Sequence, residues 1–343
     1  MRVAVIGCGF YAQNHLNAWR DLAAEGAELV GVCDRDAQKA EAAGAAFAAP
    51  WFTDAARMID EIEPDLVDIV TRHDTHAELV ALALDRGRAL MVQKPLAGDW
   101  QHSLAVARAA AGATFAGVHE NFRFQSPILR LRRLVADGAV GAPLAARIRF
   151  ATGYDVFRAQ PYLREEARLV ILDVGSHMLD LARALMGEVV RLTCETQKRR
   201  DDTKGEDTAF MLLRHGAGGV TRIECSFHSR VHRDSFPETL IEVEGDAGVA
   251  TLHAGGRIEV TSGPLTWTEE ASAPLLAWTE RPWHVTQESV LQLNRHVLCA
   301  WREGRAPETA ISDNILTCAL VEAAYRSAAS GEAVVPPAAG DLQ

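Results

Sequence analysis

No pair of cysteines in this 343-residue chain stands at C-x-x-C spacing, although there are six of them, at positions 8, 33, 194, 225, 299 and 318. With no nearby pair of histidines either, that scatter excludes a structural zinc site and a disulfide framework, so six reduced thiols and no bound metal are expected. Basic tracts of five or more residues are also missing. Lys198-Arg199-Arg200 runs at once into Asp201-Asp202, and the net charge is −11. Such a surface cannot neutralise a phosphate backbone, which excludes nucleic acid as a partner. There is no uninterrupted apolar span of about 20 residues, and no charged-then-apolar leader precedes the strand-like run Arg2-Val-Ala-Val-Ile. A cytoplasmic protein with no membrane partner is expected. Internal repeats and low-complexity linkers are absent as well.

What is present is an ordinary globular composition, 48% hydrophobic and 24% charged, in a chain long enough for two domains with real cores. Residues 1–120 alternate short apolar strands (3–6, 28–33, 66–70, 89–93, 114–119) with helical stretches (12–26, 37–48, 76–86, 100–111). Nearly continuous apolar strands in βαβα order predict a parallel sheet covered on both faces. After Asn121 the pattern changes. A helix is predicted over 127–137, followed by alternating strands at 145–152, 189–197, 208–214, 219–229, 239–244, 248–253 and 257–261. Alternation of this kind predicts a mostly antiparallel sheet. Helices are expected near 171–186, 287–303 and 312–330. The domains are therefore 1–120 and 121–343, with C-terminal helices able to pack back on the first.

Gly7-Cys8-Gly9-Phe10-Tyr11-Ala12 follows the first strand and opens the first helix. In a G-x-G-x-x-A loop the first glycine permits the turn and the second admits a pyrophosphate. The small third residue allows close helix–strand packing, and the helix N-terminus faces the phosphates. Asp34 ends the second strand 22 residues after Ala12, where a carboxylate binds adenosine ribose hydroxyls and favours NAD. The neighbouring Arg35 can pair with a 2′-phosphate, which leaves NADP open. Lys94, in Gln93-Lys94-Pro95, ends a strand at the edge where open α/β sheets bind ligands. An ammonium there can steady charge on a substrate oxygen.

A further polar set lies in Leu169-Val-Ile-Leu-Asp-Val-Gly-Ser-His-Met-Leu-Asp-Leu-Ala. On an α-helical wheel Asp173, His177 and Asp180 fall within about 60° of one face. An imidazole with a carboxylate one turn earlier is an oriented acid/base; the other reading is the wet side of an amphipathic helix.

Together the glycine loop, the strand-ending Lys-Pro and the Asp-x-x-x-His resemble the Gfo/Idh/MocA oxidoreductases, over nearly the whole chain. The likeness extends to Gly205-Glu-Asp-Thr-Ala-Phe, His296–Gly304 with Pro307-Glu-Thr, and Leu320-Val-Glu-Ala-Ala-Tyr-Arg-Ser. It implies an α/β N-terminal Rossmann domain and an α+β C-terminal domain with a large open sheet. It also implies assembly as a homodimer or homotetramer, and NAD(P)-dependent oxidation of a secondary or anomeric hydroxyl of a sugar, polyol or inositol. Lys94, Asp173 and His177 match the family's catalytic residues, and Asp180 its second Asp. Two positions depart from the pattern. Gln93 replaces a glutamate, and Arg72 replaces a proline in Thr71-Arg-His-Asp-Thr-His76.

The resemblance implies cofactor contacts from Gly7, Gly9, Phe10, Tyr11, Ala12, Asp34, Arg35, Thr71, His76, Gln93, Lys94 and Asn121. Substrate contacts are expected from Lys94, Arg123, Tyr154, Arg158, Tyr162, Asp173 and His177. The Asn121–Gln125 run and the 154–162 loop, with Gln160, are similar to apiose-type aldose dehydrogenases within the family. In the mechanism so implied, His177 takes the hydroxyl proton, Asp173 orients it and Lys94 holds the oxygen; imidazole, with an ordinary pKa of ~6.5, suits that role near neutrality. Two alternatives remain open at this point: an enzyme that cycles its NAD during glycoside cleavage or epimerisation with no net oxidation, and a non-catalytic NAD-dependent sensor.

Overall fold

A computed structural model describes residues 1–229 and 238–337, which divide into two compact units. Of these residues, the first unit takes Met1–Asn121 and Thr286–Leu316; the second takes 122–285 and 317–337.

The first unit is built on six parallel strands: β1 (Arg2–Ile6), β2 (Glu28–Cys33), β3 (Trp51–Phe52), β4 (Leu66–Ile69), β5 (Ala89–Gln93) and β6 (Ala116–His119). Their order is β3-β2-β1-β4-β5-β6, the doubly wound arrangement whose ligand crevice opens where the order reverses, between β1 and β4. Five helices join them: α1 (Ala12–Asp21), α2 (Ala37–Phe47), α3 (Ala55–Ile62), α4 (His76–Asp85) and α5 (Trp100–Ala109). Asp36, Asp54 and Asp99 cap α2, α3 and α5 with side-chain bonds to first-turn N–H groups, as short polar residues at that position do. Strand β3 and helix α3 escaped the sequence reading. The strand has two residues, and the helix buries only Met58 and Ile59.

The unit reclaims residues 286–316 from the expected second domain. The backbones of Val118 and Thr309 bond at 2.8 Å, and Thr309 Oγ1 donates to Val118 O at 2.7 Å. This late segment thereby satisfies the exposed edge of β6.

The second unit holds an eight-stranded sheet of β7 (Pro143–Ala151), β8 (Val189–Gln197), β9 (Thr208–His215), β10 (Val220–Ser226), β11 (Leu240–Gly245), β12 (Gly248–Leu252), β13 (Arg257–Ser262) and β14 (Leu265–Glu270). The order is β14-β13-β12-β11-β7-β10-β9-β8, with only β7 and β10 parallel. Helix α6 (Ser126–Ala136) packs on β12 and β13, and α7 (Ser176–Met186) on β7 and β10. Helices α8 (His284–Arg302) and α9 (Ile311–Ser330) complete the chain, and Leu320, Val321, Ala323 and Ala324 of α9 join the core of the second unit. Among the described residues no helix is long and apolar enough to cross a membrane, and no cluster of three His, Cys, Asp or Glu could hold a metal. The six cysteines are free, and burial, aided by Asp34, pushes the Cys8 thiol up to about 12.

Candidate active site

In the first unit the glycine loop sits at the carboxyl end of β1. Gly7 has φ +101°, and a Cβ there would lie 2.3 Å from Val70 O, so only glycine fits so close to the β4 exit. Above Gly9 the space is open, since an added Cβ would meet no atom within 4 Å. Ala12 is buried against the sheet. Unlike α2, α3 and α5, helix α1 has no side-chain cap and no acid in its first turn. Asn14 N bonds Tyr11 O at 3.0 Å, and with no side-chain cap the N–H groups ahead of it can meet a phosphate.

Asp34 is half-buried; Oδ2 accepts from Cys8 N at 2.8 Å and Oδ1 from Asp36 N at 2.9 Å. Carboxylate oxygens each accept more than one bond, so ribose hydroxyls can share them. Arg35 is exposed beside it. An open glycine turn, an uncapped helix start and a tethered carboxylate fit a dinucleotide. Phe10, in the same loop, is 67% exposed.

Lys94 leaves β5 half-buried at the carboxyl edge. Gln93 beneath it is held from two sides: Oε1 accepts from Lys94 N at 2.7 Å, and Nε2 lies 3.1 Å from His15 Nε2. Expected to contact the cofactor, the Gln93 amide is instead buried and held on both sides by protein atoms. His76 is corrected likewise. It is fully buried, with Nδ1 and Nε2 each 3.2 Å from the carbonyls of Leu96 and Thr71. Burial, against those carbonyl bonds, lowers its pKa. The ring pins the turn after β4, where Thr71 Oγ1 accepts from Thr75, and does not face a cofactor. Asn121 is buried too, its amide donating to Ser289 Oγ at 2.7 Å.

In the second unit the segment before α7 is a π-turn, Ile171–Gly175, which carries Asp173. A π-turn holds more residues than an α-turn, so the wheel that aligned Asp173 with His177 and Asp180 does not apply across it. Two of its leading amides, Leu169 N and Ile171 N, donate to Glu206 at 3.1–3.3 Å, and Tyr325 OH donates to the same carboxylate at 2.7 Å. Burial and the neighbouring Glu206 push Tyr325 well up, so it remains a phenol donor.

Every residue of α7 except Ala184 is buried, which overturns the wet-face reading. His177, 3% exposed, stacks face to face with Phe122, ring centroids 3.8 Å apart and planes within 5°. Asp173 is half-buried. Asp180 is fully buried and accepts from Arg123 Nε at 2.5 Å and Nη2 at 2.6 Å, and from Thr317 Oγ1 at 3.2 Å. Arg123, expected to touch substrate, is instead the counter-ion of Asp180. In the 154–162 loop, Tyr154 meets the edge of Trp283 at 5.8 Å, Arg158 is exposed, and Tyr162 OH donates to Gln160 at 2.8 Å.

Comparison with known proteins decides the family. The model for an oxidoreductase family with an NAD-binding Rossmann fold matches residues 1–118, and the Gfo/Idh/MocA C-terminal domain matches 128–251. The chain belongs to the Gfo/Idh/MocA oxidoreductases. A D-apiose dehydrogenase of Paraburkholderia graminis is 43% identical over 337 residues, covering 96% of this chain and 88% of its own. One from Rhizobium rhizogenes is 40% identical, covering 97% of both. An Agrobacterium radiobacter oxidoreductase, crystallised with NAD+, L-tartaric acid and magnesium, is 38% identical with a TM-score of 0.95, over 100% of this chain and 99% of that one.

This Gfo/Idh/MocA chain is thus an NAD-binding oxidoreductase, and the family fold expected from its motifs is present. Phe122 and Glu206 lay in segments that carried the family likeness but were given no role there, and His15 was not singled out at all. A phenylalanine reads as core, a glutamate before a strand reads as solvent-facing, and a lone helical histidine reads as either. Only their distant partners reveal them.

Proposed function

We propose that the protein is an NAD-dependent dehydrogenase that oxidises a hydroxyl of a small aldose of the apiose type. The observation that carries this is the 40–43% identity to two D-apiose dehydrogenases over 96–97% of the chain. The nucleotide is held by the α1 N-terminus, Gly7, Gly9 and Asp34. It supplies the hydride acceptor when bound. Lys94 Nζ donates to the reacting oxygen and steadies its developing charge. An imidazole nitrogen of His177 takes the hydroxyl proton. The Phe122 stack keeps that ring in one plane. Glu206 holds the turn that aims Asp173. Tyr154, Trp283 and Tyr162 offer aromatic and hydroxyl surface suited to a polyhydroxylated ring.

Reduction of NAD and of NADP should be followed with a panel of aldoses, polyols and inositols. Reduction of NAD with apiose at the highest kcat/KM is the expected result. Turnover of a sugar with no net reduced nucleotide would replace the reading with cofactor cycling, and tight NAD binding with no turnover at all would replace it with a sensor.

The same reading extends to a cytoplasmic homo-oligomer joined through the open face of the second sheet. Phe210 and Leu212 stand 44% and 52% exposed on β9, next to the edge strand β8. Their cross-strand neighbours there are Glu195, Glu224, Thr193 and Arg222. Exposed apolar side chains on a sheet face, set among charges, suit a self-complementary contact. Leu212→Asp is expected to convert a dimer or tetramer to smaller species in analytical ultracentrifugation. A wild-type chain that sediments as a monomer would end this part of the proposal.

A further inference from the structure

A charged side chain is buried in the middle of the first sheet with no cation beside it from Lys or Arg among its hydrogen-bond partners. Asp68, on β4, is fully buried; its Oδ2 accepts from Trp19 Nε1 at 2.7 Å and lies 2.8 Å from His15 Nδ1. His15, on α1, is equally buried, and its Nε2 is the atom 3.1 Å from Gln93 Nε2. Gln93 Oε1 accepts from the backbone N–H of Lys94. These bonds form one chain from Lys94 to Asp68 across α1, β4 and β5.

The chain has a direction. A backbone N–H can only donate, so Gln93 must present oxygen to Lys94 and its NH2 to His15. An NH2 can only donate in turn, so His15 Nε2 must be bare. The remaining proton of a neutral imidazole then sits on Nδ1 and is given to Asp68. Asp68 stays a carboxylate. Trp19 Nε1 and His15 Nδ1 both reach its Oδ2, and donated hydrogen bonds favour the charged form against the burial that opposes it. The other groups around His15 do not disturb this. His119 on β6 stacks at 4.1 Å and is pushed down to about 3, chiefly by its own burial. Tyr11 meets the ring edge at 5.8 Å.

We propose that Asp68 and His15 are positioning residues for Lys94. They hold Gln93 in one amide orientation through a neutral, Nδ1-protonated His15, and Gln93 in turn holds the Lys94 backbone. The inference rests on the reading that Lys94 meets the substrate oxygen.

The test begins with the unliganded wild-type protein, 15N-labelled at histidine and assigned with His15→Gln. Long-range 1H–15N spectra are expected to show His15 with Nδ1–H and a bare Nε2. An imidazolium or an Nε2–H tautomer would overturn the proposal. Gln93→Glu should turn an acceptor toward His15 and force a second proton onto it, seen as an imidazolium signal. A His15 that stays neutral in that variant also overturns it. Asp68→Asn and Gln93→Glu should each lower kcat by about 10- to 100-fold, with the Kd of NAD within about twofold. Lys94→Met separates the two readings. If it turns over normally, the role of Lys94 is wrong. If it is inactive while Asp68→Asn and Gln93→Glu keep wild-type kcat, only the positioning inference fails.

Discussion

Replacing His177 by alanine is expected to lower kcat by roughly 10²-fold or more, with NAD affinity left within about twofold. The asymmetry follows from the architecture. His177 belongs to α7 in the second unit, whereas the glycine loop, the uncapped α1 start and Asp34 belong to the first. The ring is 3% exposed and lies flat against Phe122, so its removal also leaves a cavity beside an aromatic face. Thermal unfolding measured alongside kinetics separates the two consequences. A modest loss of stability with a folded, NAD-binding, nearly inactive enzyme is the expected outcome. Near-normal turnover would remove His177 as the proton acceptor.

The second large effect is one of stability. Arg123→Ala should destabilise the second unit by about 3–5 kcal/mol, because it strands a buried carboxylate. Asp180 has no exposed surface, and two of its three hydrogen-bond donors given above come from Arg123. A drop in Tm of about 10 °C follows from a loss of that size. The double variant Arg123→Leu, Asp180→Leu should recover much of it, since replacing a buried pair with apolar side chains is often neutral. If Arg123→Ala unfolds like the wild type, the pair is not what anchors α7 to the segment after Asn121. Activity loss in Arg123→Ala is then expected to be indirect, through displaced His177.

How far each feature could be read in advance depended on range. The parallel sheet, the glycine turn and Lys94 at a strand end were legible because they are local: apolar runs of four to six residues, a φ-demanding glycine and a Lys-Pro at a strand exit. The polar set of Asp173, His177 and Asp180 was legible as a set, but its members' roles were not. The wheel assumed an uninterrupted α-helix, and the π-turn at Ile171–Gly175 breaks it. Asn121, Arg123 and His76 were read as ligand contacts because the family resemblance and their place near the strand ends and the domain crossover pointed that way. Each is instead buried and tied to protein atoms.

The sequence by itself determined the two domain types, the nucleotide loop and the family, all of which rest on periodicity and short motifs. Tertiary structure alone decided what each buried polar group answers to. Asp180 finds Arg123 across 57 residues, and Gln93 finds His15 across 78. A hydrophobic period says which face of an element is covered, but not by what. A buried charge or amide takes its meaning from the one donor or acceptor that covers it.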